Sequence, residues 1–301
     1  MKKPALYFGT ILLSLICFQI FVPRVSSQET PPPVLTLWQM PNSTKTQMMG
    51  YILKTSTGKL LVIDGGMPGD APYLLERIRE FGNGHVDAWF LTHCHGDHYG
   101  ALSVLLTEKH EYLTIDNLYF SFPPAEWLDK YEPGGKKYRS VLEKGLKDFK
   151  APITTKANDV YRFDNITVTV LNDYNLELTS NPINNSSIVF RVDTGKTSLL
   201  FLGDLGKEAG DALLNSQPEL LKCDIVQMAH HGQQGVDEKF YQHVNPRICL
   251  WPTPDWLWDN NSGNGYDTGP WKTLETRAWM EKLNIEANYI EKDGLIKLEI
   301  E

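Results

Sequence analysis

Two β-sheets packed face to face with helices on their outer sides, in one α/β domain, is the architecture this sequence predicts. Three observations carry it. Short apolar runs alternate with amphipathic helical segments from residue 34 to the end, the alternation falls into two similar halves, and no linker or short repeat divides the chain. A length of 301 residues with 42% hydrophobic and 22% charged residues is enough for one large core, and excludes a disordered tail, a collagen-like fibre or a bundle of membrane spans. The net charge of −8 argues against a wholesale electrostatic grip on nucleic acid, leaving room only for a local groove.

The first segment reads as an address. Lys2 and Lys3 precede an apolar run over residues 4–22, and Arg24, Val25, Ser26 and Ser27 lead to Gln28. A positive start, an apolar middle and small residues at the exit predict a signal peptide over 1–27, a single domain over 28–301 and a secreted or extracytoplasmic protein. An uncleaved segment would anchor the chain at the cell surface, its only expected membrane contact. If Cys17 leaves with the leader, Cys94, Cys223 and Cys249 cannot all pair within one chain; the last two lie in apolar strand-like runs, where buried free thiols are expected.

Period-2 and buried apolar runs then predict strands at 34–40, 51–54 and 60–63, the last closing in Asp64, Gly65 and Gly66. Leu74, Leu75, Ile78 and Phe81 share one helical face, so 72–81 is expected to be a helix, followed by a strand at 87–91. A helix at 99–106, a strand at 117–120 and hairpins over 160–171 and 188–202 come next. The second hairpin turns through Asp193, Thr194 and Gly195. Beyond it, helices at 206–214, 237–244 and 271–283 alternate with strands at 224–228 and 247–251, and a long Trp-, Asn- and Gly-rich loop spans 252–270. The end is expected to pair 287–290 with 295–300 across a Lys292, Asp293, Gly294 turn.

Chemistry concentrates in Thr92, His93, Cys94, His95, Gly96, Asp97 and His98, between the strand at 87–91 and the following helix. His93 and His95, two apart, can point the same way while Asp97 and His98 come round at the helix start. Three imidazoles and a carboxylate within six residues are costly to bury unless a cation organises them. Imidazole nitrogen with carboxylate oxygen suits one or two divalent ions, Zn²⁺ first, with Mn²⁺ or Fe²⁺ as alternatives.

With His93, His95, Asp97 and His98 written as HxHxDH, the chain resembles the metallo-β-lactamase superfamily. Asp64 before its double glycine matches the family's first motif, whose carboxylate orients the metal loop. Asp204, in Leu202, Gly203, Asp204, matches the carboxylate bridging two metals, and His230, His231, Gly232 match the last histidine motif. The family often writes Gly-His-Gly there, which favours His231 as ligand and leaves His230 behind it or facing the substrate. The resemblance implies the family's four-layer αββα sandwich, with His93, His95, Asp97, His98, Asp204 and His231 as metal ligands and Asp97, Asp204 and His230 in catalysis. One departure matters: between His98 and Asp204 the only histidine is His110, too close to the first motif to be the usual third histidine of the first metal site. Asn184, Asn185, Ser186 and Ser187 run where it would stand, and with the double histidine this looks like the hydrolase domain of bacterial competence DNA-uptake proteins. One site then keeps Asp97, His98, Asp204 and His231. The other has only His93, His95 and the shared Asp204, and is expected to bind more weakly.

The resemblance implies hydrolysis by a metal-bound hydroxide, and paired metals suit phosphoryl oxygens. The leading expectation is a secreted phosphodiesterase acting on a nucleic-acid, nucleotide-like or other small-molecule substrate, with no stable protein partner called for. A basic excess over 130–150 agrees with it, although a solvated helix face explains that segment equally well. The rivals are a lactone, β-lactam or other ester or amide hydrolase, and a metal-containing binding module that no longer turns over. Trp256, Trp258 and Tyr266 in the long loop are expected to form a substrate lid, against the alternative that such rings pack the core.

Overall fold

The computed structural model describes Met1 and residues 34–108, 112–150 and 152–301. The expected leader over 1–27, with Cys17, and His110 lie outside the described residues. The chain divides into Met1–Pro31 and Pro32–Glu301, and the account below concerns the second unit. None of its helices is long and apolar enough to cross a membrane among the described residues.

The first half builds a seven-stranded sheet from β1 (Leu35–Gln39), β2 (Gly50–Thr55), β3 (Leu60–Asp64), β4 (Ala88–Phe90), β5 (Leu118–Phe120) and β6 (Ile153–Thr154). The second sheet takes β7 (Val160–Phe163), β8 (Ile166–Val170), β9 (Phe190–Asp193), β10 (Ser198–Phe201), β11 (Ile225–Gln227), β12 (Ile248–Trp251) and β13 (Ala287–Ile290), in the order β13-β12-β11-β10-β9-β8-β7. The last strand, β14 (Ile296–Ile300), returns to the first sheet, whose order is β14-β1-β2-β3-β4-β5-β6.

Strand alternation makes the four layers. Tyr51, Leu53, Leu61, Ile63 and Phe90 face Val168, Phe190, Leu199, Phe201 and Leu250 between the sheets, while their neighbours Ile52, Leu60, Val62 and Trp89 point the other way. That outer face is covered by α1 (Ala71–Gly82) and α2 (Gly96–Glu108) through Leu74, Ile78, Leu102 and Leu105. On the second sheet Leu200, Val226, Cys249 and Trp251 meet Leu213, Phe240 and Met280 of three further helices, Lys207–Ser216, Glu238–Val244 and Thr273–Lys282. Burial of both faces explains why these strands read as nearly continuous apolar runs. The αββα sandwich expected from the sequence is the fold observed.

Two further helices, α3 (Ala125–Tyr131) and α4 (Lys136–Leu146), occupy the basic stretch. Leu128 and Leu142 are buried against the outer face, Lys136 and Arg139 pair with Asp129, and Lys130 lies over the Tyr131 ring. Lys137, Lys144, Lys147 and Lys150 are exposed on the outside. This is the arrangement of a solvated amphipathic helix. Cys94, Cys223 and Cys249 are all buried and free, and burial pushes the Cys94 and Cys249 thiols up to about 12.

The terminal hairpin is corrected. β13 pairs in parallel with β12, whereas β14 pairs antiparallel with β1 in the other sheet. A short 3₁₀ turn at Glu291–Asp293 and Gly294 at φ 101° carry the chain from one sheet to the other. An Asp-Gly pair between two alternating runs signals a reversal, and cannot by itself tell a hairpin from a crossing between layers. The crossing buries Glu291, 1% exposed, with no aligned hydrogen bond to either carboxyl oxygen. Burial pushes this carboxyl well above its usual 4.5, and the nearby His231 and the Asn42 backbone offset only part of that.

The unfolded chain ionises at Glu291 before the folded chain does, so stability falls as pH rises above the unfolded value. Glu291→Gln removes that loss. The variant is expected to melt above the parent at about pH 8, with the advantage vanishing near about pH 4. Thermal melts across that range check this, and an offset independent of pH would contradict it.

Candidate metal centre

The centre is assembled on the ends of β3, β4, β10 and β11. Asp64 closes β3 with φ 56°, a left-handed conformation that Asp tolerates better than most residues. The Trp89 indole N–H donates to the Asp64 carbonyl at 2.8 Å. The Asp64 carboxylate accepts the Thr92 N–H at 2.8 Å, the Thr92 hydroxyl at 2.7 Å and His98 Nδ1 at 2.7 Å. With its Nδ1–H donated there, His98 aims Nε2 at the interior. Gly66, at φ 91°, takes a backbone conformation that a residue with a Cβ adopts only under strain.

Gln227 of β11 shapes the opposite wall. Its Oε1 accepts the Leu202 and Gly203 N–H groups at 2.7 and 2.8 Å, and its Nε2 donates to the Gly203 carbonyl at 3.1 Å. Gly203 sits at φ 57°, where a Cβ would lie 2.8 Å from that of Thr92. This close approach of backbone to the histidine loop delivers Asp204, 1% exposed, whose N–H donates to Ser187 Oγ at 3.1 Å.

After β11, His230 and His231 both take positive φ, 49° and 54°. Such backbone costs on the order of 1–3 kcal/mol per residue and persists where the surroundings enforce it. His231 is held by Nδ1 to the Pro252 carbonyl at 2.9 Å, and the Thr253 hydroxyl donates to the His231 carbonyl at 2.7 Å. His231 Nε2 faces Asp97 Oδ2 at 3.2 Å and Asp204 Oδ2 at 3.5 Å.

Two donor groups result, each with its atoms within 4.8 Å of one another: Asp97, His98, Asp204 and His231, and His93, His95 and the shared Asp204. Their chemistry asks for a cation. His98 Nε2, His231 Nε2 and both Asp204 oxygens are buried without hydrogen bonds, and His93 Nε2 and His95 Nδ1 face each other at 3.1 Å. Burial works against ionising Asp204 and Asp97, yet the surrounding imidazoles hold both carboxyls well below their usual range. Burial likewise opposes charge on His98 and His231, but Asp204 outweighs it, raising His98 well above 6.5 and His231 to about 10. Burial and the neighbouring His98 depress His93. Protons on imidazoles thus balance the buried carboxylates, a balance that a divalent ion supplies better.

The six ligands expected from the sequence converge, and Asp64 lies directly behind His98. His230 stands beside the group, its Nε2 3.9 Å from Asp204 Oδ2 and 3.3 Å from Asn184 Nδ2. Of the three residues expected to form a lid, Trp256 donates its indole N–H to the Lys45 carbonyl at 3.1 Å, on the loop whose Gln47 reaches Asp97 Oδ2 at 3.0 Å. Trp258 is corrected: its ring packs edge-on against Trp251, with the Arg277 guanidinium 4.0 Å from its centroid, as part of the outer core. Tyr266 is 65% exposed in a loop closed on itself by the Asn260–Asp267 side-chain bond.

Glu132 escaped the sequence reading. It sits just past α3, and its Oε1 is 2.7 Å from His95 Nε2, which leaves His95 Nδ1 for the interior. Nothing local marks it, since it stands among lysines 37 residues from His95. Gln47, whose Oε1 accepts from Gln233 at 3.1 Å while its Nε2 holds Asp97, was equally silent.

A family profile of the Metallo-beta-lactamase superfamily matches residues 49–283. The chain belongs to that superfamily, and with this donor set it is a metallo-hydrolase that uses divalent metal ions. ComE operon protein 3 of Bacillus subtilis (strain 168) is 30% identical over 167 residues, which is 55% of this chain but 20% of the relative, so the chain spans about a fifth of that protein's length. Among solved structures, the metallo-β-lactamase fold protein YhfI from Bacillus subtilis superposes with a TM-score of 0.55 at 13% identity, over 88% of this chain and 99% of that one. CmlA, a diiron β-hydroxylase from Streptomyces venezuelae, gives 0.55 at 11% identity, over 90% and 55%. These two share the fold.

Proposed function

We propose that this protein is a secreted or extracytoplasmic phosphodiesterase that cleaves nucleic-acid or nucleotide-like substrates. The observation that carries the reading is the pair of donor groups meeting at one buried carboxylate, Asp204. Divalent ions held by His93, His95, Asp97, His98, Asp204 and His231 would supply Lewis acidity, which polarises a phosphoryl oxygen and acidifies water. Nitrogen and oxygen donors without thiolate favour Zn²⁺, with Mn²⁺ and Fe²⁺ as alternatives.

The chain's own groups do the rest. Asp97, fixed by Gln47, and Asp204, fixed by Ser187 and Gln227, orient the attacking water. His230, its Nδ1–H donated to the Gln234 carbonyl at 3.2 Å, presents the Nε2 lone pair as the base that takes a proton from the attacking water. Support for the substrate class comes from the resemblance to the hydrolase domain of competence DNA-uptake proteins. The location rests on the leader composition of residues 1–27.

Metal-reconstituted protein offered bis-p-nitrophenyl phosphate, a nucleic acid, a lactone and a chromogenic cephalosporin is expected to turn over the first two. Turnover of only the lactone or the cephalosporin would replace the assignment with an ester or amide hydrolase. No turnover with metal bound would make the protein a binding module.

A further inference from the structure

The two donor groups are unequal, four protein donors against three, and next to His230, which borders the shared Asp204, lies a buried acceptor with nothing to accept. Asn184, on the four-residue helix Pro182–Asn185, is 3% exposed, and its Oδ1 has no hydrogen-bond partner. A buried amide oxygen left unpaired loses its hydration with nothing to offset it, so its retention calls for a partner.

The orientation of the amide follows from its neighbour. His230 Nδ1 meets the Gln234 carbonyl at 3.2 Å and therefore carries the hydrogen, which leaves Nε2 as the accepting nitrogen. At 3.3 Å from that nitrogen, Asn184 must present its Nδ2–H donor, and Oδ1 takes the other branch of the amide. The same imidazole nitrogen lies 3.9 Å from Asp204 Oδ2, on the carboxylate both donor groups share, so Asn184 borders the centre itself.

Glu132 ties the two sides of the shorter group together. Its Oε1 accepts from His95 Nε2 at 2.7 Å, which turns the Nδ1 lone pair toward His93 Nε2, 3.1 Å away. Its Oε2 accepts the Ile183 N–H at 3.3 Å, one residue before Asn184. One carboxylate thereby sets both a histidine of the group and the short helix that carries the unpaired amide oxygen.

We infer that Asn184 Oδ1 is the fourth protein ligand of the cation position formed by His93, His95 and Asp204, with Glu132 the positioning residue that sets Asn184 and His95 together. The position then takes a divalent ion with two nitrogen and two oxygen donors. A neutral amide is a weaker ligand than an imidazole or a carboxylate, so this ion leaves before the one held by Asp97, His98, Asp204 and His231.

The test is a metal count, which does not depend on what the enzyme hydrolyses. The full chain is loaded with Mn²⁺, dialysed against graded chelator, and assayed by elemental analysis and by electron paramagnetic resonance. Two ions per chain, giving a spin-coupled signal, are expected for the parent. Asn184→Ala is expected to keep one ion, showing an isolated-ion spectrum, with its circular dichroism unchanged. Asn184→His should restore two. Glu132→Gln should bind the second ion on the order of 10–100-fold more weakly, the range found when an outer partner of a metal-bound histidine is removed.

An Asn184→Ala protein that binds both ions as tightly as the parent overturns the inference. So does one that loses both together, which would make the amide a support of the whole centre, and so does a parent that binds one ion only. Phosphodiester turnover failing while the count behaves as stated would reject the proposed substrate and leave the ligand assignment standing.

Discussion

Asp204→Ala is expected to abolish hydrolysis, to below about a thousandth of the parent rate, and to strip metal from both positions at once. No other residue is shared by the two donor groups. Its carboxylate is fully buried, with His98 Nε2 at 3.2 Å, His231 Nε2 at 3.5 Å and His93 Nε2 at 3.8 Å, so its removal withdraws the negative charge around which three imidazoles are gathered. Asp204→Asn separates charge from shape. It keeps an oxygen donor and the Gly203–Asp204 backbone held by Gln227 and Ser187, but loses the charge, and is expected to be nearly as inactive while folding normally. A rate within tenfold of the parent for either variant, with two ions bound, would show that Asp204 is not the shared ligand.

Asp64→Ala is expected to cost about 3–5 kcal/mol of stability, because it removes one partner from a buried ionic hydrogen-bond cluster and leaves the others unpaired. Asp64 is fully buried and belongs to neither donor group. Its carboxylate instead ties the Thr92 backbone, the Thr92 hydroxyl and His98 Nδ1 into one unit. Alanine also accommodates the left-handed backbone at this position less well than aspartate. Metal affinity should fall as well, on the order of 10–100-fold, since His98 is then free to rotate and to change tautomer. Thermal melts of metal-free and metal-loaded protein separate the two effects: the variant should melt below the parent in both states, with a smaller gain on adding metal. Equal melting temperatures in both states would contradict the role assigned to Asp64.

The six converging donor residues were legible because they sit on segments that follow strand ends. HxHxDH follows β4, Gly203–Asp204 follows β10, and His230–His231 follow β11, so short-range pattern and chain order were enough to collect them. Strand alternation made the layers legible in the same way, since Leu61 and Ile63 had to leave by one face and Leu60 and Val62 by the other. What escaped was tertiary. Glu132 is just past a helix that the sequence does not isolate, and it reaches His95 across 37 residues only through the tertiary fold. Trp258 carries the same composition signal as Trp256 two residues earlier, yet on one turn of helix their rings diverge, one into the outer core and one toward Lys45. The crossing at Glu291 reads locally as a hairpin because the signal for a reversal is short, while the choice of sheet is decided by the free edge of β1 far away in sequence.

The most direct check of the metal centre is an anomalous difference map from a crystal grown with Mn²⁺ or Zn²⁺. The geometry predicts its strongest peak among Asp97, His98, Asp204 and His231, and a second, weaker one among His93, His95 and Asp204. A map with no peak at Asp204, or with density only at the surface group of His85, Asp87 and Asp116, would contradict the account.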